Sequence, residues 1–373
     1  MNKNILFIYG TRPEAIKMAP LIKEFQKHPN LFKVKICLTG QHTQMVEQIN
    51  RFFNIKADFN LNIMTHDQTL FDITSRCLLG LKTILDDPFD LIFVQGDTTS
   101  VMAGALAAFY KNIPVAHLEA GLRTGNKYSP FPEEMNRIIT GHIADYHFAP
   151  TGEAMKNLKK EGITKNIYMV GNTVIDALHL GLSIIKLDEE QRYYDFFSYL
   201  DFSKKTILTT GHRRESFGDG FENICNAIAT IAEQHKDVQF VYPTHLNPNV
   251  REPVNRILKE IDNVFLIEPL DYPFLIWIMD KSYFVLTDSG GIQEEAPALG
   301  KPVLVLRKVT ERQEGVDAGT AKLVGTEFED IVTGIKTLLE DNLAYSSMAK
   351  AINPYGDGNT SKKIVDIVTE SFN

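Results

Sequence analysis

Short apolar runs alternate with longer amphipathic segments along most of the chain, a pattern typical of βαβ units. The predicted strands are residues 5–9, 33–39, 91–95, 114–118 and 148–149 in the first half, and 205–210, 238–242, 264–267, 283–287 and 302–306 in the second. The predicted helices include residues 14–27, 98–110, 221–235 and 293–299. The pattern therefore predicts an α/β fold with two halves of similar size, each built on a parallel sheet.

The two halves meet at a segment without a clear strand. Residues 173–203 are helical and charged in character, so the boundary is predicted near 171, giving one domain over 1–171 and a second over 172–355. A polar, glycine-rich stretch at 353–359 precedes a last amphipathic helix at 361–372, with Thr360 or Ser361 as its N-cap. Residues 356–373 are expected to pack back on the first domain.

Composition narrows the class of protein. The 373 residues are 44% hydrophobic and 23% charged, which is ordinary for a globular protein of two domains. The formal charge of −8, without long basic runs, argues against nucleic-acid binding. Three cysteines, an odd number and far apart, argue against a disulfide framework or a metal site and favour a reducing compartment. No apolar run reaches the ~20 residues that span a bilayer, so we expect no membrane anchor and a cytoplasmic location.

Ligands of open parallel sheets bind outside the carboxyl ends of the strands, so the strand ends are the first place to look for chemistry. The first strand runs into GTRPE at 10–14, where Arg12 and, one turn later, Lys17 can meet an anion at a helix N-terminus. An ordinary βα turn with two solvated cations is the alternative. Neither GxGxxG nor a Walker A sequence is present, which weakens a Rossmann oxidoreductase or a P-loop kinase.

A second strand end, TDSGGIQEE at 287–295, combines small residues with an acidic pair. Ser289, Gly290 and Gly291 allow backbone N–H groups to approach a phosphate, and Glu295 can accept hydrogen bonds from ribose hydroxyls. The alternative is a glycine-rich turn followed by a glutamate on the helix surface. The coincidence of both features at a strand end favours nucleotide binding by the second domain.

Further candidates for proton transfer follow other strands. Asp97 either caps the next helix or takes part in chemistry, whereas Glu119 directly follows an apolar strand and is expected to be half-buried with a partner. Glu133 lies near a helix N-terminus, where acidic residues also simply offset the helix dipole. His212 opens a basic cluster that suits a phosphate or a solvated surface. The chain has neither HExxH nor GxSxG, so the sequence gives no support for a metalloprotease or a nucleophile-elbow hydrolase.

Nine segments, in this order, resemble the non-hydrolysing UDP-N-acetylglucosamine 2-epimerase family. They are GTRPEAIKMAP at 10–20, QGDTTS at 95–100, HLEAGLRTG at 117–125, YSPFPEEMNR at 128–137, GNTVIDAL at 171–178, GHRRESFG at 211–218, HLNPNVREPV at 245–254, TDSGGIQEEAPALGKPVL at 287–304 and NPYGDG at 353–358. The resemblance implies a GT-B-like pair of Rossmann-like domains facing across a cleft that holds the UDP-sugar. It also implies a homodimer without cofactor or metal, which interconverts UDP-N-acetylglucosamine and UDP-N-acetylmannosamine for cell-surface polysaccharides.

The resemblance also implies roles for individual positions. The proton-transfer groups would be Asp97, Glu119 and Glu133, with His212 beside the diphosphate. Positions that match the family's UDP contacts are Arg12, Lys17, Arg137, Ser289, Gly290, Gly291, Glu295 and Arg312. A second, regulatory UDP-N-acetylglucosamine site would involve Gln41, His42, Gln44, Gln68, Arg213 and His245.

The chain departs from the family pattern at two positions. Asp67 stands where some members have Arg, and an anion there is expected to weaken binding of a second diphosphate. Gln313 stands where Pro is common, with a small expected effect on loop rigidity. The effect of Asp67 bears on the regulatory site and not on the catalytic one.

The chemistry of the sugar narrows the mechanism. Its C2 proton is not acidic, so inversion at C2 requires transient oxidation or loss of the anomeric leaving group, and the absence of a dinucleotide fingerprint favours elimination through 2-acetamidoglucal. Two protic groups on opposite faces are then needed. Three rivals stay open: a glycosyltransferase on the same fold, a hydrolysing epimerase and a non-enzymatic UDP-sugar sensor.

Overall fold

The computed structural model describes residues 2–41, 43–187 and 190–372. The chain divides into two compact units, the first formed by Met1–Leu180 with Tyr355–Asn373 and the second by Gly181–Pro354. The sequence placed the boundary near 171. In the structure the division lies further along the chain, after Leu180, because the first turns of the helix that begins at Thr173 belong to the first unit.

The first unit is built on a seven-stranded parallel sheet of order β3-β2-β1-β4-β5-β6-β7. Its strands are β1 Lys3–Tyr9, β2 Phe32–Leu38, β3 Phe59–Asn60, β4 Leu91–Gln95, β5 Val115–Leu118, β6 Tyr146–Ala149 and β7 Ile167–Met169. Its helices are α1 Arg12–Gln26, α2 Thr43–Phe52, α3 Leu70–Ile84, α4 Thr99–Tyr110, α5 Glu133–Ile143, α6 Gly152–Lys160 and α7 Thr173–Leu187, the last of which continues past the division.

The second unit is built on a six-stranded parallel sheet of order β10-β9-β8-β11-β12-β13. Its strands are β8 Lys205–Thr210, β9 Val238–Pro243, β10 Val264–Ile267, β11 Phe284–Thr287, β12 Val303–Val305 and β13 Ala321–Leu323. Its helices are α8 Gln191–Phe196, α9 Asp219–Gln234, α10 Pro248–Leu258, α11 Tyr272–Lys281, α12 Gly290–Ala298, α13 Gln313–Asp317, α14 Phe328–Glu340 and α15 Asn342–Ala349. The final helix, α16 Thr360–Ser371, belongs to the first unit and contacts α1.

The predicted α/β class with parallel sheets is confirmed. The central strands β1, β4, β8 and β11 are apolar runs buried on both faces, as parallel strands covered by helices must be. The pattern of apolar positions does not predict β3, β7 and β13, because strands of two or three residues are too short to show a period in hydrophobicity.

The predicted N-cap of the last helix is wrong. Asn359 occupies the N-cap position and provides no side-chain cap, while Thr360 and Ser361 are already helical. Their N–H groups donate instead to the carboxylate of Asp176 in α7, at 3.3 and 2.7 Å. A carboxylate distant in sequence therefore replaces the local cap and fixes α16 to α7 within the first unit.

In the described ranges, no helix is long and apolar enough to cross a membrane.

Candidate active site

The candidate residues fall into two groups, one in each unit. Each group lies at or beside the point in its sheet from which consecutive strands are added in opposite directions. In the first unit that point is between β1 and β4, and in the second it is between β8 and β11. Loops that leave neighbouring strands on the two sides of such a point open a crevice for ligands. The sheet order thus explains why chain segments far apart in sequence share one edge.

Glu119 lies at the carboxyl end of β5 and is held by three side chains. Its Oε2 is 2.5 Å from Nζ of Lys17 and also accepts a hydrogen bond from the amide of Gln95, while Oε1 accepts one from Nδ2 of Asn172 at 3.4 Å. Only 7% of the Glu119 side chain is exposed. The predicted partner is confirmed, and the carboxylate, which was expected to be half-buried, is buried more deeply than that. Glu119 also has a φ of 60°, a left-handed conformation that costs energy outside glycine and clusters at functional sites.

Asp97 follows β4 and pairs with a cation from α5. Oδ2 of Asp97 lies 2.9 Å from Nε and 2.8 Å from an Nη of Arg137, and the backbone carbonyl of Asp97 accepts a hydrogen bond from Asn136 at 2.9 Å. The alternative role as a helix cap is wrong, because Thr98 occupies the N-cap position and accepts from the N–H of Val101. The carboxylate is therefore available to the site rather than to the helix.

Two adjacent glutamates open α5 and have different surroundings. Glu133 is the first residue of the helix and is partly buried. Its side chain makes no hydrogen bond or ion pair within the described ranges. Glu134 is 1% exposed, accepts the N–H groups of Thr124 and Gly125 at 3.0 and 2.9 Å and pairs with Arg137 at 3.2 Å. Glu134 therefore orders the loop before the helix, and Glu133 keeps its carboxylate open to a ligand.

The turn after β1 differs from the predicted anion site in one respect. The carboxylate of Glu14 accepts the N–H groups of Gly10 and Thr11 at 2.7 and 3.3 Å, so these two donors face inward and are not open to an anion. Burial raises the pKa of Glu14, and the hydrogen bonds from Gly10, Thr98 and Thr11 oppose that shift. The expectation for Arg12 and Lys17 is unaffected, since it concerns their side chains.

In the second unit, the N-terminus of α12 offers donors to a ligand. Ser289 occupies the N-cap position and provides no side-chain cap for the first N–H groups of the helix. A Cβ placed on Gly290 would lie 3.8 Å from Cζ of Arg312, so a guanidinium lies beside these donors. The arrangement of a free helix N-terminus and a cation suits a phosphate group.

Glu295 lies one turn into the same helix and is buried. It is 6% exposed, and its Oε1 accepts a hydrogen bond from the hydroxyl of Tyr272 at 3.2 Å. A Cβ on Gly291 would lie 3.9 Å from its Oε2. The alternative of a solvated glutamate on the helix surface is therefore wrong.

His212 follows β8 and faces a buried carboxylate. Oδ2 of Asp288 accepts the N–H groups of His212 and Arg213 at 2.6 and 2.7 Å, and Oδ1 lies 3.1 Å from Nδ1 of His212. The ring of His245 stacks on that of His212 with a centroid distance of 5.5 Å. Two of the predicted residues, one catalytic and one regulatory, are therefore neighbours.

The remaining regulatory candidates lie in the first unit. Gln41 accepts a hydrogen bond from Ser100, Gln44 is exposed, and Gln68 contacts Met64 and the N–H of Thr65, both at 3.3 Å. His42 lies outside the described residues.

Asp67 itself has a φ of 54° and lies 2.7 Å from Nδ1 of His66, with both side chains almost fully exposed. The Asp67 side chain is therefore in solvent, next in sequence to Gln68. Across residues 2–41, 43–187 and 190–372, no group of three or more His, Cys, Asp or Glu side chains could hold a metal ion.

Comparison with known proteins gives the family. A model of the family described as UDP-N-acetylglucosamine 2-epimerase matches residues 23–369. The chain belongs to the UDP-N-acetylglucosamine 2-epimerase family. The family resemblance stated from the nine motifs is thereby confirmed.

Members of this family are similar to the chain over its whole length. The UDP-N-acetylglucosamine 2-epimerase of Escherichia coli (strain K12) is 53% identical over 368 residues, which cover 97% of both chains. A crystal structure of UDP-GlcNAc 2-epimerase from Neisseria meningitidis bound to UDP-GlcNAc has a TM-score of 0.90 and 48% identity, covering 98% of this chain and 100% of that one. An S. aureus MnaA–UDP co-structure has a TM-score of 0.86 and 46% identity, covering 99% and 97%.

Several residues that shape this epimerase-family site were not singled out from the sequence. They are Gln95 and Asn172 around Glu119, Glu134 beside Arg137, Asp288 under His212 and Glu294, whose carboxylate contacts Arg312. Each lies inside a motif quoted above, and Glu134, Asp288 and Glu294 directly adjoin a residue named there. A polar residue at a strand end beside a candidate residue is the signal that could have found them.

Proposed function

We propose that this chain epimerises UDP-N-acetylglucosamine at C2, reversibly and without releasing the free sugar, to UDP-N-acetylmannosamine. The observation that carries the proposal is the placement of Asp97 and Glu119 at the ends of adjacent strands, each beside a cation, Arg137 or Lys17. A carboxylate at each of two adjacent strand ends can supply the base and, when protonated, the acid that proton transfer on two faces of a sugar requires. Family membership supplies the substrate.

The reaction proceeds by elimination and re-addition. A carboxylate takes the C2 proton, the C2–H electron pair becomes the C1=C2 double bond, and the C1–O bond breaks to release UDP. In the return step a second protic group delivers a proton to the opposite face of C2 while an oxygen of UDP bonds to C1 again. No electrons are gained or lost overall, so the cycle needs no redox partner. Asp97, Glu119 and Glu133 are the proposed proton-transfer groups.

The second unit binds the leaving group. Negative charge develops on the β-phosphate as the C1–O bond breaks, and positioned donors lower the barrier most when they face that charge. The N-terminus of α12 at Ser289, Gly290 and Gly291, the guanidinium of Arg312 and the ring of His212 are the proposed donors. Glu295 is proposed to accept from the ribose hydroxyls.

Arg12, Lys17 and Arg137 are also proposed to act on UDP, because cations at the carboxyl end of the first sheet offset the charge of a diphosphate. For Lys17 and Arg137 this role is combined with pairing to a carboxylate. Each cation then balances the carboxylate in the resting site and the phosphates when UDP is bound. The proposal that the regulatory residues bind a second UDP-N-acetylglucosamine rests on the family pattern, and Asp67 is expected to weaken that binding.

We further propose that the chain forms a homodimer through an exposed apolar face of α3 and α4. Phe71 and Leu79 lie eight residues apart on one side of α3 and are 86% and 70% exposed, and Phe109 and Tyr110 at the end of α4 are 60% and 66% exposed. The two helices pack against each other, so these side chains belong to one layer. Apolar side chains concentrated in this way mark protein–protein contacts.

Light scattering tests the dimer directly. The variant Leu79→Glu is expected to shift the mass from two chains to one, whereas Leu187→Glu, which changes an even more exposed leucine at the end of α7, is expected to leave it unchanged. A monomeric parent protein, or a dimer that survives Leu79→Glu, would place the interface elsewhere or remove it.

The product is proposed to supply activated mannosamine units for cell-surface polysaccharides. We also propose that the enzyme acts in the cytoplasm. The free, buried Cys37, Cys77 and Cys225 are consistent with a reducing compartment.

The decisive experiment incubates the purified protein with UDP-N-acetylglucosamine in D₂O, without acceptor, nucleotide cofactor or added metal, and follows the sugar by NMR. Formation of UDP-N-acetylmannosamine with deuterium at C2 is the expected result. Free N-acetylmannosamine with UDP would instead indicate a hydrolysing epimerase. An unchanged sugar would favour the glycosyltransferase or the sensor, and ligand-dependent signalling retained in carboxylate variants would select the sensor.

A further inference from the structure

Asp288 is a buried acid that no step of the proposed reaction uses. It follows β11 directly, and only 2% of its side chain is exposed. Oδ2 accepts two backbone N–H groups, of His212 at 2.6 Å and of Arg213 at 2.7 Å, and Oδ1 lies 3.1 Å from Nδ1 of His212. Burial raises the pKa of Asp288, but the contacts with His212 and the N–H groups of Arg213 and His212 outweigh it and lower the pKa overall. The group is therefore a carboxylate at neutral pH.

A carboxylate can only accept hydrogen bonds, and this decides the protonation of the facing ring. The buried Oδ1 of Asp288 has no aligned hydrogen-bond donor in the described part of the chain, and Nδ1 of His212, at 3.1 Å, is the group that can turn a hydrogen toward it. Nε2 is then the ring nitrogen left to a ligand, and the His212 side chain is 41% exposed. This is the general arrangement in which an acid orients an imidazole and fixes its tautomer.

The other charged or titratable groups around Asp288 do not take over this role. Nδ1 of His245 accepts the N–H of Asn247 at 3.1 Å, so the proton of the neutral His245 ring is on Nε2. Burial and the neighbouring His212 lower the pKa of His245, which keeps that ring neutral beside His212. Tyr242 is buried and its pKa is raised, so it remains a phenol. Arg213 contacts Asp288 through its backbone N–H.

We propose that Asp288 is a positioning residue that holds one proton of His212 on Nδ1, turns Nε2 toward the ligand and stabilises the protonated ring, in which Nε2 carries the hydrogen that it donates to the departing UDP. The catalytic part of this statement rests on the proposed function, whereas the tautomer of His212 does not. The proton on Nδ1 stays in place throughout. Only Nε2 exchanges a proton or a hydrogen bond with the diphosphate.

The variant Asp288→Asn separates orientation from folding. The amide oxygen can still accept the N–H groups of His212 and Arg213, so the turn after β8 keeps its hydrogen bonds. The amide nitrogen then faces Nδ1 of His212 as a donor, which forces the neutral ring into the opposite tautomer and removes the counter-charge of a protonated ring. Asp280→Asn, in the same unit at the surface end of α11, is the matched control for loss of one negative charge.

Two measurements test the proposal. We expect kcat of Asp288→Asn to fall about 100-fold with KM changed less than about 3-fold, because the lost interaction matters when charge develops on UDP. Nitrogen-15 NMR of the histidine rings should show Nδ1–H for neutral His212 in the parent protein and Nε2–H in Asp288→Asn. His212→Asn identifies the signal.

A double-variant cycle decides whether Asp288 acts through His212. His212→Asn keeps a donor near the position of Nδ1 and removes Nε2, so adding Asp288→Asn to it should change kcat less than about 3-fold. A further fall in kcat near 100-fold in the His212→Asn background would overturn the proposal. So would finding the proton of the neutral His212 ring on Nε2 in the parent protein. If the parent protein shows no epimerase activity but the tautomer depends on Asp288 as described, the orientation stands and the proposed function fails.

Discussion

The ammonium nitrogen of Lys17 lies 2.5 Å from Oε2 of Glu119, although 102 positions separate the two residues. Lys17 is in α1, which follows β1, and Glu119 follows β5, so the pair spans β4, the strand between them in the sheet. Both side chains are largely buried, at 14% and 7% exposure. Removing the cation from a buried carboxylate lowers the stability of the site. Lys17 is therefore expected to serve the ionised form of Glu119 during catalysis and not only ligand binding.

Replacing Lys17 with methionine distinguishes these two roles. If Lys17 mainly serves Glu119, kcat should fall by about 100-fold while the Kd of UDP, measured by calorimetry, rises less than about 10-fold, since 10-fold corresponds to about 1.4 kcal/mol. Lys23→Met is the control, because Lys23 lies on the same helix and its ammonium group donates to the backbone carbonyl of Asn54 near the surface. A large loss of UDP affinity with an unchanged kcat would assign Lys17 to UDP alone.

Asp97 and Glu119 are expected to be separately required for proton transfer. Asp97→Asn and Glu119→Gln remove a base of nearly the same shape, so turnover in each should fall by about 100-fold or more while UDP still binds. Deuterium exchange at C2 in D₂O reports the proton transfer itself. Asp86→Asn, at an exposed ion pair with Lys111, is the control and should behave as the parent protein. Near-normal turnover in both variants would remove the two carboxylates from the mechanism.

The sequence predicts where chemistry can occur better than which residues meet there. An acid directly after an apolar strand already signals a buried carboxylate, and Glu119 follows that rule. Its partner Lys17 depends on the order of β1, β4 and β5 in the sheet, which no local pattern contains. The pairing of Asp288 with His212 depends in the same way on β8 and β11 being neighbours.

Local rules fail where tertiary contacts are stronger. By propensity Asp97 is a good helix cap, but the guanidinium of Arg137 competes for its carboxylate and Thr98 takes the cap. Thr360 is likewise a good cap, but Asp176 supplies a full negative charge to the same helix end. Both errors arise because the competing partner is remote in sequence and charged.

Two buried histidines predict a pH dependence of stability in the first unit. His117 and His147 are paired across β5 and β6, are 1% and 2% exposed, and burial lowers the pKa of each to about 4. The unfolded chain binds these protons near pH 6.5, whereas the folded chain does so only near pH 4. The folded state therefore loses stability as the pH falls from about 6.5 to 4, by roughly 3 kcal/mol for each histidine, and no further below that range.

Hydrogen exchange of the β5 and β6 amides at several pH values measures this effect where it occurs. His117→Asn should reduce the loss between pH 6.5 and 4 by about half, since one of the two titrating rings is gone. His66→Asn changes a ring that is 93% exposed and should leave the pH dependence unchanged. A loss of stability that is the same in His117→Asn and the parent protein would contradict the assignment.

The turn after β1 depends on the absence of a side chain at Gly10. A Cβ at this position would lie 1.8 Å from Oγ1 and 3.1 Å from Cβ of Thr39, so Gly10→Ala must displace the turn that carries Arg12 and Glu14. We expect it to lower the free energy of unfolding by about 3 kcal/mol, as overpacking of a tight site does.

The same contact allows the clash to be relieved from the other side. Oγ1 of Thr39 is buried and has no hydrogen-bond partner in the described part of the chain, so Thr39→Ala alone should cost less than about 1 kcal/mol. In Gly10→Ala/Thr39→Ala the 1.8 Å contact no longer exists, and chemical denaturation followed by circular dichroism should show at least half of the lost stability restored. A double variant as unstable as Gly10→Ala would mean that the backbone of the turn, and not Thr39, excludes the methyl group. The value of φ at Gly10 argues against that outcome, because Gly10 is not among the residues in the left-handed region and alanine can adopt its conformation.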